Sequence, residues 1–153
     1  MARTEDLPEQ LRHGIANLEC PVFEETPFVT GPPLARRRVA LVNSAAMIER
    51  GAQPFRVDGG EWRPIPRTAP TTDLLVSHVS INFDRSGFQR DINVVHPIDR
   101  LAELASAGVI GSVADTHFTV MGSDDPADLG DAASHMVAAL RSDHVDAVVF
   151  TPV

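Results

Sequence analysis

Apolar residues in this chain gather in short runs, and small or charged residues mark where each run stops. RRRVALVNSA (36–45) holds the run Val39, Ala40, Leu41, Val42, the pattern of a strand buried on both faces. TDLLVSHVS (72–80), VIGSVADTHFTVMG (109–122) and VDAVVFTPV (145–153) predict three further core strands; in the last, Val148, Val149 and Phe150 are expected to enter a central strand. WRPIP (62–66) alternates apolar and polar positions, and its prolines cannot donate to a central ladder, so it predicts an edge or hairpin strand. PIDRLAELASAG (97–108) reads as a helix, with Pro97 in the first turn, Leu101 and Leu104 on one face and Gly108 as the stop. A second helix is predicted from about 127 to 142, and NFDRSGFQRDIN (82–93) reads as a polar loop.

Strands that alternate with helices, each strand a near-continuous apolar run, predict an α/β domain. The expected form is three-layer: a mainly parallel sheet with helices on both faces, Rossmann- or flavodoxin-like. This domain would occupy residues 36–153. Residues 1–35 carry five prolines (Pro8, Pro21, Pro27, Pro32, Pro33) and predict a short helix followed by an extended arm. At 153 residues the chain is long enough for one sizeable core.

Composition narrows the chemistry. A net charge of -8 argues against nucleic acid or anionic lipid as a partner, and no run of about 18 apolar residues could cross a membrane. The N-terminus shows no apolar core of a secretory signal, so the cytoplasm is the expected compartment. The basic cluster Arg36-Arg37-Arg38 precedes an apolar run and reads as a solvated strand entrance. All 13 basic residues are arginine, and tyrosine is absent, a bias that suggests a GC-rich genome. Without lysine there is no Schiff-base or phosphate-loop lysine. The single cysteine, Cys20, excludes an intrachain disulfide, a paired-cysteine redox motif and a multi-thiolate zinc site; it reads as a bland thiol or a weak candidate nucleophile.

Ligands of such sheets gather outside the carboxyl ends of the strands. The polar groups expected there are Asn43 and Ser44, then Ser77, His78 and Ser80, then Asp115, Thr116 and His117, and last Thr151. His78 reads either as a rim or core histidine bonded to a carbonyl, or as a general acid or carboxylate binder. Asp115 and His117 are two apart and would share a face in an extended strand, the carboxylate orienting the imidazole. A metal pair at these two has no diagnostic spacing, and no metal is expected. In the loop 82–93, Arg90, Asp91 and Asn93, with Asp84 and Arg85, form either a solvated surface or a lid and carboxylate clamp.

The strings VALVNSA (39–45), GAQPF (51–55), LLVSHVSINFD (74–84), DINVVHPIDRLAEL (91–104), GVIGSVADTHFTVMG (108–122) and VDAVVFTPV (145–153) together resemble one family. It is the selenoprotein B family of the glycine, sarcosine, betaine and D-proline reductases, and the short N-terminal lead resembles its small D-proline reductase branch. The chain departs from that pattern at Ala46, where a glycine is expected, and at His96, where an aromatic such as Phe is expected. The resemblance implies reductive cleavage of a C–N bond α to a carboxylate, on a small amino-acid substrate. It implies a partner subunit whose pyruvoyl group activates the amine, hence a hetero-oligomer, and attack on the α-carbon by a selenolate or thiolate. That nucleophile needs to be ionised at neutral pH, which selenocysteine meets and an ordinary thiol meets only with a depressed pKa.

In the family the nucleophile stands in the loop directly after the last strand block, so selenocysteine or cysteine is expected beyond Val153. The expectation is that the following codon is a UGA read as stop. On that view the chain alone binds no cofactor and lacks reductase activity, with His78, His117 and Asp115 as catalytic candidates. Asn43, Ser44, Arg90, Asp91 and Asn93 are then the substrate-binding candidates. The competing readings are a non-catalytic α/β binding or assembly subunit without the redox segment, and a small flavodoxin-like or metal-binding domain.

Overall fold

The structure, a computed structural model, describes residues 4–17, 22, 24–56, 59–80 and 84–153. Helix α1 (Glu9–Ala16) buries none of its residues, and the described part of the proline-rich arm is largely exposed, with Phe28 and Val29 facing out. The arm meets the domain where Arg37 donates from Nε to the Pro32 carbonyl at 2.7 Å. Cys20 lies outside the described residues.

Strand β1 (Arg38–Asn43) is the axis of the domain, with Val39 to Asn43 all buried. The run Val39–Val42 forms it for a simple reason: with both faces covered, every position can take an apolar side chain. β2 (Met47–Glu49), β3 (Trp62–Pro66) and β4 (Leu74–Val76) follow, then α2 (Ser86–Arg90) and α3 (Ile98–Ser106). β5 (Ser112–Val113), β6 (Thr116–Val120), α4 (Gly130–Ser142) and β7 (Ala147–Thr151) complete the chain. The main sheet is mixed: β5, β6 and β7 run parallel to β1, whereas β3 runs antiparallel to β6. β7 pairs with Val39 to Asn43 along one edge of β1. β5 and β6 therefore share the other edge end to end, meeting Arg38–Val39 and Val42–Asn43, with Ala114 and Asp115 in the break between them.

Alternate residues of β1 go to different helices. Val39 and Leu41 pack with Ile98, Leu101 and Ile110, on the α3 side. Val42 packs with Phe118, Val120, Ala132 and Met136, on the α4 side. A third cluster joins Ala45, Met47, Ile65, Leu74 and Val95 beyond the carboxyl end of β1.

Three expectations change. Three of the four pairings in the main sheet are parallel, but the sheet is mixed and curled, with β3 antiparallel to β6, rather than a Rossmann- or flavodoxin-like stack. TDLLVSHVS supplies no strand to it: only Leu74–Val76 is extended, and it pairs antiparallel with β2 in a separate two-stranded sheet. A 3-10 turn at Thr71–Asp73 precedes it, and the Ser77 N–H is spent on the Ala46 carbonyl rather than on a ladder. The third is β7, which pairs only with β1 among the described strands and is thus an edge strand, with Phe150 73% exposed. An apolar run marks a strand but does not say which of its faces the fold covers.

Candidate functional site

The break between β5 and β6 costs β1 a ladder partner, and a side chain replaces it. The Leu41 N–H donates to Nδ1 of His117 at 3.0 Å. Nδ1 is therefore the acceptor, and the ring's proton sits on Nε2, which is buried with no hydrogen-bond partner among the described residues. The His96 ring stands edge-on to His117, centroids 5.5 Å apart. Asn43 joins this group: its Nδ2 is 3.2 Å from His96 Nδ1, and its Oδ1 accepts from Thr119 Oγ1 at 2.7 Å and from the Ala45 N–H at 3.1 Å. Thr119 Oγ1 in turn accepts from the Met47 N–H at 2.9 Å. Asn43, His96, His117 and Thr119 are all at most 1% exposed. Burial lowers both imidazoles to about 4, and for His117 the neighbouring His96 pushes in the same direction.

One turn further toward the carboxyl ends lies a second group, at the rim. The Ser44 N–H donates to the Thr151 carbonyl at 3.3 Å, and Ser44 Oγ accepts from the Val153 N–H at 2.9 Å. The last residues thus continue beside the end of β1. Gly122, just past β6, faces the same place: a methyl group there would stand 2.8 Å from the Ser44 carbonyl oxygen and 2.9 Å from Nε2 of His78. His78 is 5% exposed and accepts at Nδ1 from the Ser80 N–H at 3.1 Å. Arg85 holds this loop by donating from Nη2 to the carbonyls of His78 and Ser80. Burial lowers the His78 pKa, Arg85 lowers it further, and Asp124 opposes both.

The remaining candidates lie elsewhere. Asp115 precedes β6, at the far end of the sheet from Ser44, and is paired with Arg38 at 2.9 Å and Arg67 at 3.3 Å. The strand break removes the two-residue alternation that would have put it on the face of His117. Arg90, Asp91 and Asn93 line an open cleft of about 590 Å³, with Arg50 and Asp99. Asp91 there accepts from the backbone N–H and Nδ2 of Asn93, both at 2.9 Å, which lowers its pKa. Asn93 also donates to Asp99 and accepts the Asp99 N–H, so it caps the start of α3. The structure therefore brings Ser44 and His78 together, sets Asn43 and His117 beneath them, and leaves Asp115 and the cleft residues apart. Sequence reasoning missed His96, Thr119, Gly122 and Asp124 as parts of these groups. Only His96 carried a signal, as a histidine in an otherwise apolar stretch.

The chain is thus an α/β domain with a buried polar network under the carboxyl ends of its strands. The family model for glycine/sarcosine/betaine reductase selenoprotein B matches residues 72–153, which include His78, His96, His117, Gly122 and all of β7. The chain belongs to this glycine/sarcosine/betaine reductase selenoprotein B family. It is also 31% identical over 116 residues to D-proline reductase subunit gamma of Acetoanaerobium sticklandii, covering 74% of this chain and 47% of that protein. The chain thus spans about half the length of this curated relative. No solved structure matches it. No helix among the described residues is long and apolar enough to cross a membrane.

Proposed function

We propose that this chain is a subunit of a reductase of the glycine, sarcosine, betaine and D-proline type, acting on a small amino acid by reductive C–N cleavage. The observation that supports this most is where the family match falls. It covers the rim segments from His78 to Val153, whose N–H donates to Ser44 Oγ, while Ser44 itself lies before the matched residues. In this reading the selenolate or thiolate comes from a segment beyond Val153, and a pyruvoyl group on a partner subunit activates the substrate amine. The assembly is a cytoplasmic hetero-oligomer.

The chain's own residues then have distinct tasks. With Nδ1 of His78 occupied by the Ser80 N–H, the neutral ring can offer only its Nε2–H. Burial favours that neutral form. His78 is therefore a hydrogen-bond donor rather than a proton acceptor, through an Nε2 buried beside Gly122; the substrate carboxylate is its acceptor in this reading, and Ser44 adds a hydroxyl on the opposite side of the Gly122 gap. Asn43, His96, Thr119 and His117 hold the end of β1 from below. Asp115 acts with Arg38 and Arg67 as a structural ion pair, and Arg90, Asp91 and Asn93 shape a cleft wall.

Sequencing the DNA downstream of the Val153 codon, with the intact mass and selenium content of the native protein, tests the reading. The expected result is an in-frame continuation that carries a Cys or selenocysteine in a C-x-x-C-like segment. A locus without such a continuation sinks it. In the native complex, His78→Gln should lower kcat/KM for the amino acid, expressed mainly in KM.

A further inference from the structure

Met121–Asp124 forms a tight turn after β6, closed by the Asp124 N–H on the Met121 carbonyl at 3.3 Å. Two features of this turn have no local explanation. Gly122 is not in the left-handed region, so backbone conformation does not demand a glycine there. Space does: an added Cβ would meet the Ser44 carbonyl oxygen, the Ser44 Cβ and the His78 Nε2, at 2.8 to 3.0 Å. Backbone cannot swing aside as the end of a long side chain can. Asp124 is the other feature. Its Oδ2 is out of contact with solvent and has no hydrogen-bond partner among the described residues. A carboxylate oxygen in that condition is costly unless a positive or proton-bearing group faces it.

We propose that the Met121–Asp124 turn positions the His78 ring at the rim: Gly122 leaves the space that the Nε2 edge of the ring needs, and Asp124 supplies a negative charge that acts on the ring. Gly122 and Asp124 are positioning residues in this scheme, acting on substrate through His78. The inference rests on the proposed role of His78 at the rim, and it gives that role a cause. The charged groups acting on the ring are Arg85, which disfavours the imidazolium, and Asp124, which favours it. Asp124 thereby opposes Arg85 and burial at a ring whose Nε2 is itself buried.

The test uses the 153-residue chain, labelled with nitrogen-15, and its long-range proton–nitrogen spectra, with the His78 signals assigned by their loss in His78→Gln. The parent should show the Nε2–H tautomer at neutral pH. Asp124→Asn should shift the His78 titration midpoint downward, and Asp124→Glu should restore it toward the parent. Gly122→Ala should displace the His78 ring signals and the Ser44 and Val153 amides, leaving those of His117 in place. An unmoved His78 midpoint in Asp124→Asn, with His117 signals at their parent positions, overturns the proposal, as does an Nδ1–H tautomer. If Asp124→Asn shifts His78 as expected while His78→Gln leaves kcat/KM of the native complex unchanged, the positioning stands and the functional role of His78 falls.

Discussion

Ala46 is a buried residue with φ of +51°, in the left-handed region where a Cβ is unfavourable. Its backbone is held there from both sides, its N–H donating to the Val120 carbonyl and its carbonyl accepting from the Ser77 N–H, each at 2.9 Å. That explains the glycine expected at this point of the resemblance: the chain must turn from β1 into β2 while both groups stay paired. Two terms of similar size compete on substitution. Relief of the left-handed Cβ is worth about 1–2 kcal/mol, whereas the methyl packs with Phe55 and Met121 and its loss costs about 1 kcal/mol. Ala46→Gly should therefore change stability by less than about 1 kcal/mol, and Ala46→Val, branched at Cβ, should cost about 3 kcal/mol or more. Urea unfolding followed by the single Trp62 checks both; the ring stands 5.6 Å from Phe118 inside the core. Arg38 shows the opposite kind of residue, one whose role sequence could not reveal. Three consecutive arginines read as a solvated strand entrance, yet Arg38 donates to Asp143 Oδ1 at 2.6 Å, to the Asp143 carbonyl at 2.8 Å and to the Val113 carbonyl at 2.9 Å. It ties the end of α4 to the strand break. Hydrogen bonding to Asp143 raises its pKa, and at Asp143 the bonds from Arg38 and the Asp115 N–H outweigh burial and hold the carboxyl below its ordinary range. Arg38→Met should destabilise by about 2–3 kcal/mol, since it strips charged hydrogen bonds from a half-buried carboxylate. Arg36→Met is the matched control and should be near neutral.

At the scale of elements, the two long helices stop in the same way with different residues. α3 ends with Gly108 at φ +70°, the Val109 N–H reaching back to the Leu104 carbonyl and the Gly108 N–H to Ala105. α4 ends with the same hydrogen-bond pattern, Val145 to Leu140 and His144 to Arg141, but the left-handed position is held by His144 at φ +54°. His144 is exposed, so no burial offsets the strain. His144→Gly should raise stability by about 0.5–1 kcal/mol, read as a higher urea midpoint at unchanged slope. The same comparison shows what was legible. The stop of α3 could be read because glycine is the ordinary occupant of that position; the stop of α4 had no such letter. β1 and both long helices were legible from periodicity, since each buries a continuous stripe. Their partners were not. Nothing local distinguishes Leu74–Val76, which pairs with β2, from a strand of the main sheet, and nothing in VDAVVFTPV says that Phe150 faces solvent. The break at Ala114–Asp115 was likewise silent, although it decides which of Asp115 and His117 is buried. Of the site, Ser44 and His78 could be read because they follow or sit in apolar runs. Gly122 and Asp124 matter only through residues more than forty positions away.

For the molecule as a whole, the paired histidines beneath β1 couple stability to pH. His96 and His117 are both held neutral, with pKa lowered to about 4 from an ordinary value near 6.5. A depressed imidazole contributes stability that is fully present above the unfolded value and is lost as pH falls through the window from 6.5 to 4. In that window the unfolded chain takes up two protons that the folded chain refuses. The free energy of unfolding should then fall by about 2.8 kcal/mol per pH unit, two protons at about 1.4 each. His78, also lowered by burial, adds in the same direction. The lowered carboxylates, Asp143 and Glu61 among them, act only at more acid pH, so the two effects separate. His96→Phe isolates the contribution of one ring. At pH 7 it should be less stable than the parent by about 1–2 kcal/mol, because Asn43 Nδ2 loses its ring acceptor and keeps only the Met47 sulfur at 3.3 Å. Its stability should fall less steeply on acidification, by about 1.4 kcal/mol per unit less than the parent. The two curves should therefore cross between pH 6.5 and 5, and below the crossing the phenylalanine variant should be the more stable protein. Urea titrations at half-unit steps from pH 7.5 to 4.5, read by Trp62 fluorescence, locate the crossing. Parallel curves would mean that the buried rings accept protons without opening the fold, and the network under β1 would then not be the acid-labile part of the domain.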